Sequence, residues 1–460
     1  LLIQLSSYHK NIFVVGDEDQ SIYRWRGADY RNVQRFESDF KGCEVILLEQ
    51  NYRSTQNVLD AARQVIDRNR NRTPKRLFTD RGTGNKLVQY TAVDDIAEAA
   101  YVVDTITQYL SSGRAKANDF AVMYRTNAQS RLIEEAMIHG RLPYRLVGAL
   151  RFYGRREVKD MIAFMRLVEN PGDEVSLLRV IGVPPRGIGP KTIKALQSTA
   201  FRAGVSMGDV LLDLGRQRKD SPHWAEMGRA ATLLADFGAM LANWVKDKDQ
   251  ISLINLFDRI IEDINYQKFL NDQTEEGKGR WDNIQELRRL AYDYVEKGLT
   301  EFLQNLALVS DQDTLPAETD QPAQAQQGAV TLLTLHTAKG LEFSQVFIIG
   351  LDEGLMPLTR SRNNPEKIIE EIQEEIAEER RLFYVALTRA RKRIIITGCK
   401  MRRKGNQSVE STFSPFLDEI PEKLVTWKLE EDPLTEEASD KLWSAWNTIV
   451  EKKKGHEGKK

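Results

Sequence analysis

Cysteine is nearly absent from this chain: Cys43 and Cys399 are the only two in 460 residues, too few for a disulfide framework or a four-ligand zinc site. A reducing, cytoplasmic setting is the expectation. No apolar run approaches the roughly 20 residues of a membrane span, and residues 1–5 lack the basic region and cleavage site of a signal peptide. A surplus of one charge is missing too. With 66 Lys and Arg against 67 Asp and Glu the net charge is −1, so nothing marks the whole chain as an electrostatic nucleic-acid binder, and any basic groove must be local. A Walker A loop is also lacking. Its nearest approach, Gly182 to Gly187, is followed by Ile188, and Lys191-Thr192 comes only after Pro190.

What is present is a globular composition, 41% apolar and 29% charged, whose length predicts two to four domains. The chain opens on Leu1 inside an apolar, helix-like stretch, which reads as a piece cut from something longer. The residues 12–15 (Ile-Phe-Val-Val) and 45–48 (Val-Ile-Leu-Leu) read as strands buried on both faces of a parallel sheet, with polar residues emerging at their ends. After the first run comes Gly-Asp-Glu-Asp-Gln-Ser-Ile-Tyr-Arg-Trp-Arg-Gly-Ala, residues 16–28. Gln20 there offers an amide for a phosphate oxygen or a water, while Tyr23, Trp25 and Arg26 bring rings and guanidinium groups together, the composition that stacks unpaired bases. Taken alone, the same aromatics read equally well as core packing. Asp17-Glu18 reads as part of this sensor rather than as a metal pair, and no metal site is expected.

After the second run, Tyr52 offers a stacking surface and Arg53 a phosphate ligand, with Ser54 or Thr55 capping the next helix. From residue 87 to 150 strands and helices alternate, with Arg125 and Asn127 at the end of the strand 120–124. Residues 151–310 turn mainly helical. Within them, residues 184–192 (Pro-Pro-Arg-Gly-Ile-Gly-Pro-Lys-Thr) read either as a helix-hairpin-helix turn against a phosphate or as a plain tight turn. A Gln-, Ala- and Pro-rich stretch at 310–328 reads as a linker. The sheet then resumes, with His336, Thr337 and Glu342 in the loop between strands at 330–335 and 346–349. An acidic helix at 365–380, which reads as a solvated face, leads to Arg389 ahead of a strand at 394–397, and the lysine-rich end reads as a disordered tail.

Together these segments resemble the carboxyl-terminal two-thirds of a UvrD/PcrA/Rep-type superfamily 1 DNA helicase: residues 16–28 resemble motif III, 48–55 motif IV, 331–350 motif V and 378–391 motif VI, in order. The resemblance implies an α/β fold, a RecA-like parallel-sheet domain carrying a mainly helical inserted subdomain. Residues 1–50 would end a first RecA-like domain, 51–147 with 328–425 would form the second, 148–327 the insertion and 426–460 a flexible tail. It implies ATP and Mg2+ as cofactors, with Gln20 sensing the γ-phosphate, Tyr52 stacking on adenine, Glu342 on the ribose, and Arg53 and Arg389 acting as arginine fingers. Tyr23, Trp25, Arg26, Arg125, Asn127, His336 and Thr337 would line a single-stranded DNA track. Unwinding in the 3′ to 5′ direction, a role in DNA repair or replication, single/double-strand junctions as substrate and repair proteins as partners rest on the family alone. The P-loop and the metal-binding Asp-Glu motif of the family are absent, so this chain alone is expected to be a poor ATPase, its Mg2+ ligands lying in a missing first domain. A non-catalytic single-strand-binding module, or one half of a split helicase, is the rival reading.

Overall fold

Uninterrupted apolar runs such as Phe120–Tyr124 are buried from end to end, which requires a sheet covered on both faces. The computed structural model describes residues 2–9, 11–24, 27–70, 72–314, 328–358, 369–404 and 407–429. Its strands are β1 (Leu87–Asp94), β2 (Phe120–Tyr124), β3 (Tyr144–Val147), β4 (Val330–Thr334), β5 (Phe343–Ile348), β6 (Ala390–Lys404), β7 (Gln407–Glu410) and β8 (Val425–Leu429). They form one sheet in the order β3-β4-β2-β5-β6-β1-β8, with β7 beside β6. Every pairing along that order is parallel, in registers such as Ala121↔Thr331, Val122↔Phe347, Val346↔Ile394 and Val88↔Ile395. The fold is α/β with a parallel sheet, as the alternation of elements requires.

Successive residues of each strand feed opposite cores. Phe120, Val122 and Tyr124 pack with the helices Asp95–Ser111 and Ser130–His139, whereas Ala121 and Met123 pack with Gln56–Ile66 and the end of Ile369–Leu387. The chain divides into two compact units, one of residues 1–149, 317–404 and 408–460, the other of residues 150–316 with 405–407. Residues 1–50 fall within the first unit.

The second unit is helical, built on helices such as Arg156–Glu169, Met207–Gln217 and Ala231–Asp247. Trp244 is fully buried, with Phe164 and Phe237 edge-on and Asp263 accepting its indole N–H at 2.7 Å. Two helices cross so closely that a Cβ on Gly238 would lie 1.9 Å from the Leu211 carbonyl oxygen, so glycine is required there. In the turn at 184–192, Arg186 lies over the Phe237 ring at 4.6 Å and donates to the Val183 carbonyl at 2.6 Å, and burial lowers its pKa to about 10. That arginine is committed to packing.

Four expectations need correction. Residues 12–15 and 45–48 are not strands: Phe13, Val15, Ile46 and Leu48 are exposed, at 85, 76, 67 and 75%. A strand exists through its ladder partners, and among the described residues no neighbouring strand pairs with either run. Neither Ser54 nor Thr55 caps the helix Gln56–Ile66 through its side chain. The Ser54 hydroxyl is drawn to the Ala390 carbonyl, and the carbonyls of Gly82 and Thr83 take the amides of Gln56 and Asn57 instead. The supposed linker begins as helix, because Gly298–Thr314 runs through its first residues; residues 315–327 lie outside the described set. The supposed tail begins as strand β8, whose residues Leu429 and Val425 pair with Thr91 and Leu87. Residues 365–368 and the lysine-rich 451–460 also lie outside the described residues.

Candidate functional site

Asn51 builds the loop that carries two of the candidate residues: its side chain accepts from the amides of Arg53 (2.9 Å) and Ser54 (2.8 Å), an Asx-type turn. The buried Ser54 hydroxyl then donates to Ala390 O at 2.7 Å, anchoring the loop to the first residue of β6. Arg53 is thereby held beside Glu342 and Thr388. Its Nε donates to Glu342 Oε2 at 2.6 Å and its Nη1 to the Thr388 carbonyl at 3.3 Å. Arg389 meets the same threonine from the other side, Nη2 donating to Thr388 Oγ1 at 3.0 Å, while its Nε and Nη1 donate to the carbonyls of Val385 (2.9 Å) and Leu341 (3.3 Å). Tyr52 projects outward, 75% exposed, its hydroxyl on Gln50.

The electrostatics of this group favour an anion. Arg389 is only 2% exposed, and burial followed by the like charge of Arg53 lowers its pKa to about 10. Glu342 offsets part of that positive charge; the hydrogen bond from Arg53 holds its carboxyl below the usual range, and Arg391 adds a further cation at 3.9 Å. Arg53 and Arg391, which share the exposed Glu342 carboxylate, retain donor capacity for a phosphate.

A second group lies at the opposite edge of the sheet, the one formed by the carboxyl ends of its parallel strands. Glu342 and Arg389 immediately precede β5 and β6, whereas Arg125 follows β2 and His336 follows the end of β4, and these strands are all parallel. Arg125 is gripped by Glu379, Nε at 3.0 and 3.1 Å from the two carboxylate oxygens and Nη2 at 2.6 Å from one of them. Asn127 opens a short 3-10 turn ahead of the helix Ser130–His139. Thr337 shares a hydroxyl contact with Thr334 at 2.8 Å. Tyr23 reaches this edge from the 16–24 segment: its hydroxyl donates to His336 O at 3.0 Å, and the two rings lie 6.1 Å apart. Trp25 and Arg26 lie outside the described residues.

The loop of residues 335–342 runs from the carboxyl end of β4 to the amino end of β5, and so joins the two groups. Lys339 in that loop donates to the Gln20 carbonyl at 2.8 Å and lies 5.5 Å from the Tyr23 ring centroid. The Gln20 amide itself donates to Asp17 at 2.6 Å. Asp17 and Asp19 are engaged by Lys75 (2.7 Å) and Arg72 (2.8 Å), and Glu18 accepts from the Thr73 amide. Among the described residues no group of three or more His, Cys, Asp or Glu could hold a metal ion.

Sequence reasoning missed Thr388, Lys339 and Glu379 as participants. All three stand within stretches already singled out, so adjacency was the available signal; the acidic composition around Glu379 points to solvent rather than to Arg125.

With this geometry in place, comparison with known proteins is direct. Residues 46–401 match the family described as UvrD-like helicase C-terminal domain, and residues 1–41 match the UvrD/REP helicase N-terminal domain. The ATP-dependent DNA helicase PcrA of Bacillus subtilis (strain 168) is 40% identical over 432 residues, covering 92% of this chain and 56% of that protein. PcrA of Staphylococcus epidermidis is 39% identical and that of Staphylococcus aureus 37%, each over 431 residues with the same coverage. The chain therefore spans little more than half the length of these relatives. A solved structure described as the C-terminal domain of a possible DNA helicase from Lactobacillus plantarum covers 82% of this chain and is itself covered to 98%, at 11% identity. Its TM-score is 0.29, and the fold rests instead on the strand order and registers given above. Among the described residues no helix is long and apolar enough to cross a membrane. On the match across residues 46–401 and the identity to PcrA proteins, this chain belongs to the UvrD-like DNA helicase family.

Proposed function

We infer that this chain is the motif III to VI portion of an ATP-dependent DNA helicase that moves along one strand in the 3′ to 5′ direction and unwinds duplex DNA, in the cytoplasm, in repair or replication. The observation that carries the reading is the convergence of Arg53 and Arg389 on Thr388 beside Glu342. Residues 51–147 with 328–425 act as the second RecA-like domain, 148–327 as its insertion, and 1–50 as the end of a first domain whose remainder completes the nucleotide cleft. Bound ATP supplies the phosphoryl transfer whose free energy drives movement. Arg53 and Arg389 counter charge on its phosphates, Gln20 monitors the γ-phosphate, Tyr52 presents its exposed ring to the adenine and Glu342 accepts from the ribose. Mg2+ does not fit the residues described: Asp17 and Asp19 are already engaged by lysine and arginine, and its ligands are assigned to residues outside this chain. Tyr23, Trp25, Arg26, Arg125, Asn127, His336 and Thr337 form the single-strand track, and the loop through Lys339 links track to sensor.

The test is Arg389→Ala in the native protein. Single-strand-stimulated ATP turnover is expected to fall by about 10³-fold or more while ATP binding persists; unchanged turnover overturns the reading. A second reading, a single-strand-binding module without catalysis, rests on the contact between the candidate track residues Tyr23 and His336. It requires salt-sensitive DNA binding that ATP does not alter and no turnover in the native protein.

A further inference from the structure

The two arginines that flank the proposed DNA track from different segments, Arg24 and Arg125, are met by carboxylates of one helix, Ile369–Leu387. Glu379 takes Arg125 in the fork-to-fork geometry described above, with both side chains largely shielded, at 14 and 13% exposure. Five residues earlier Glu374 lies 2.8 Å from Arg24 Nη2, and Glu378, next to Glu379, accepts the Arg24 backbone amide at 2.9 Å. A carboxylate gripped in this way occupies the same two N–H donors that a phosphate would take.

The geometry points to an internal competitor: the carboxylate of Glu379 stands in for a DNA phosphate on Arg125, so that single-stranded DNA binds by displacing it and the acidic helix sets the affinity of the track. This rests on the reading of Arg125 as a track residue. Exchange of the helix carboxylate for a phosphate leaves the arginine paired in both states, and Glu379 is released only when DNA is bound.

The experiment is titration of a fluorescent oligo-dT with the full chain, at several salt concentrations, for Glu379→Gln, Arg125→Gln, the double variant and Arg125→Lys. Glutamine keeps an oxygen for the Leu358 amide, which Glu379 accepts at 3.2 Å, so the neighbouring loop stays anchored. The expected result for E379Q is binding tightened on the order of tenfold, because the phosphate no longer has to displace a charged carboxylate, with the slope of log K against log salt unchanged, since Arg125 meets the same phosphate in both proteins. The gain vanishes in the double variant. R125K, which keeps a charge but loses the bidentate grip of Glu379, binds more tightly than wild type and serves should E379Q fold poorly. If wild type binds the oligonucleotide but neither E379Q nor R125K tightens it, the competitor is refuted while the track reading stands. If E379Q tightens binding equally in the R125Q background, the competition is not with Arg125 and the proposal falls. Absence of any binding by the wild-type chain at low salt overturns the track reading and this proposal with it.

Discussion

Replacing Arg402 by methionine tests the energetics of the sheet that carries both candidate groups. Arg402 sits between two carboxylates that are themselves 3% and 1% exposed: its Nη2 donates to Glu98 at 2.7 Å and its Nε to Asp352. Glu98 also accepts from the Thr397 hydroxyl (2.6 Å) and the Gly350 amide (2.8 Å), and Asp352 from the Cys399 amide (3.2 Å). The trio thus ties the helix Asp95–Ser111 to β6 and to the turn after β5. Methionine fills much of the volume but leaves two buried carboxylates facing each other without a cation, a change that costs about 3–5 kcal/mol. At pH 7 the amides of β6 around Ile395–Gly398 should then exchange with solvent about 10²- to 10⁴-fold faster, by the same free energy. The sign of the pH dependence follows from Asp352, whose carboxyl burial raises to about 6 despite Arg402. Below that value it is largely protonated already in the wild type, so the loss of Arg402 should cost less at pH 5 than at pH 7. Hydrogen exchange read by mass spectrometry at both pH values is the assay. An acceleration of less than about tenfold at pH 7, or one equal at the two pH values, would refute the assignment of the trio as a charge-compensated network.

Two further outcomes can be checked. Thr388→Val keeps the shape but removes the acceptor for Arg389 Nη2 and the donor to Val385 O; ATP turnover by the native protein should fall by about 10²-fold through misplacement of the guanidinium, and Thr388→Ser should restore most of it, so that equal rates in the two variants would count against a positioning role. Burial raises the Asp104 carboxyl to about 6 from its ordinary 3.8, so the folded state holds that proton more tightly than the unfolded one and stability falls as pH rises between those values. Asp104→Asn should therefore raise the melting temperature at pH 7 and leave it unchanged at pH 4, and a gain of equal size at both would contradict the burial argument.

Local chemistry determined much of this protein. The apolar run at 120–124, a helix at 95–110 and the ordered series of motifs were legible in the sequence because each depends on residues near one another in the chain, and the parallel α/β class follows from their alternation. The Asx-type turn at Asn51 is local too, yet it carried no signal distinct from the polar residues around it. Tertiary structure decided the rest. Residues 12–15 and 45–48 have the composition of buried strands, yet strand formation depends on neighbours that local sequence does not specify, and both runs are exposed here. The partner of Arg53 lies 289 positions away and that of Arg125 lies 254 away, so no spacing rule could reveal that one candidate carboxylate is shared between arginines or that the acidic helix holds Arg125. Which edge of the sheet each group occupies depended on strand order and direction, because a loop's place is set by the strands it connects. Sequence named the residue types suited to phosphates and bases; the fold alone set their charge balance, by bringing distant carboxylates and arginines within hydrogen-bonding reach in a medium that screens them poorly.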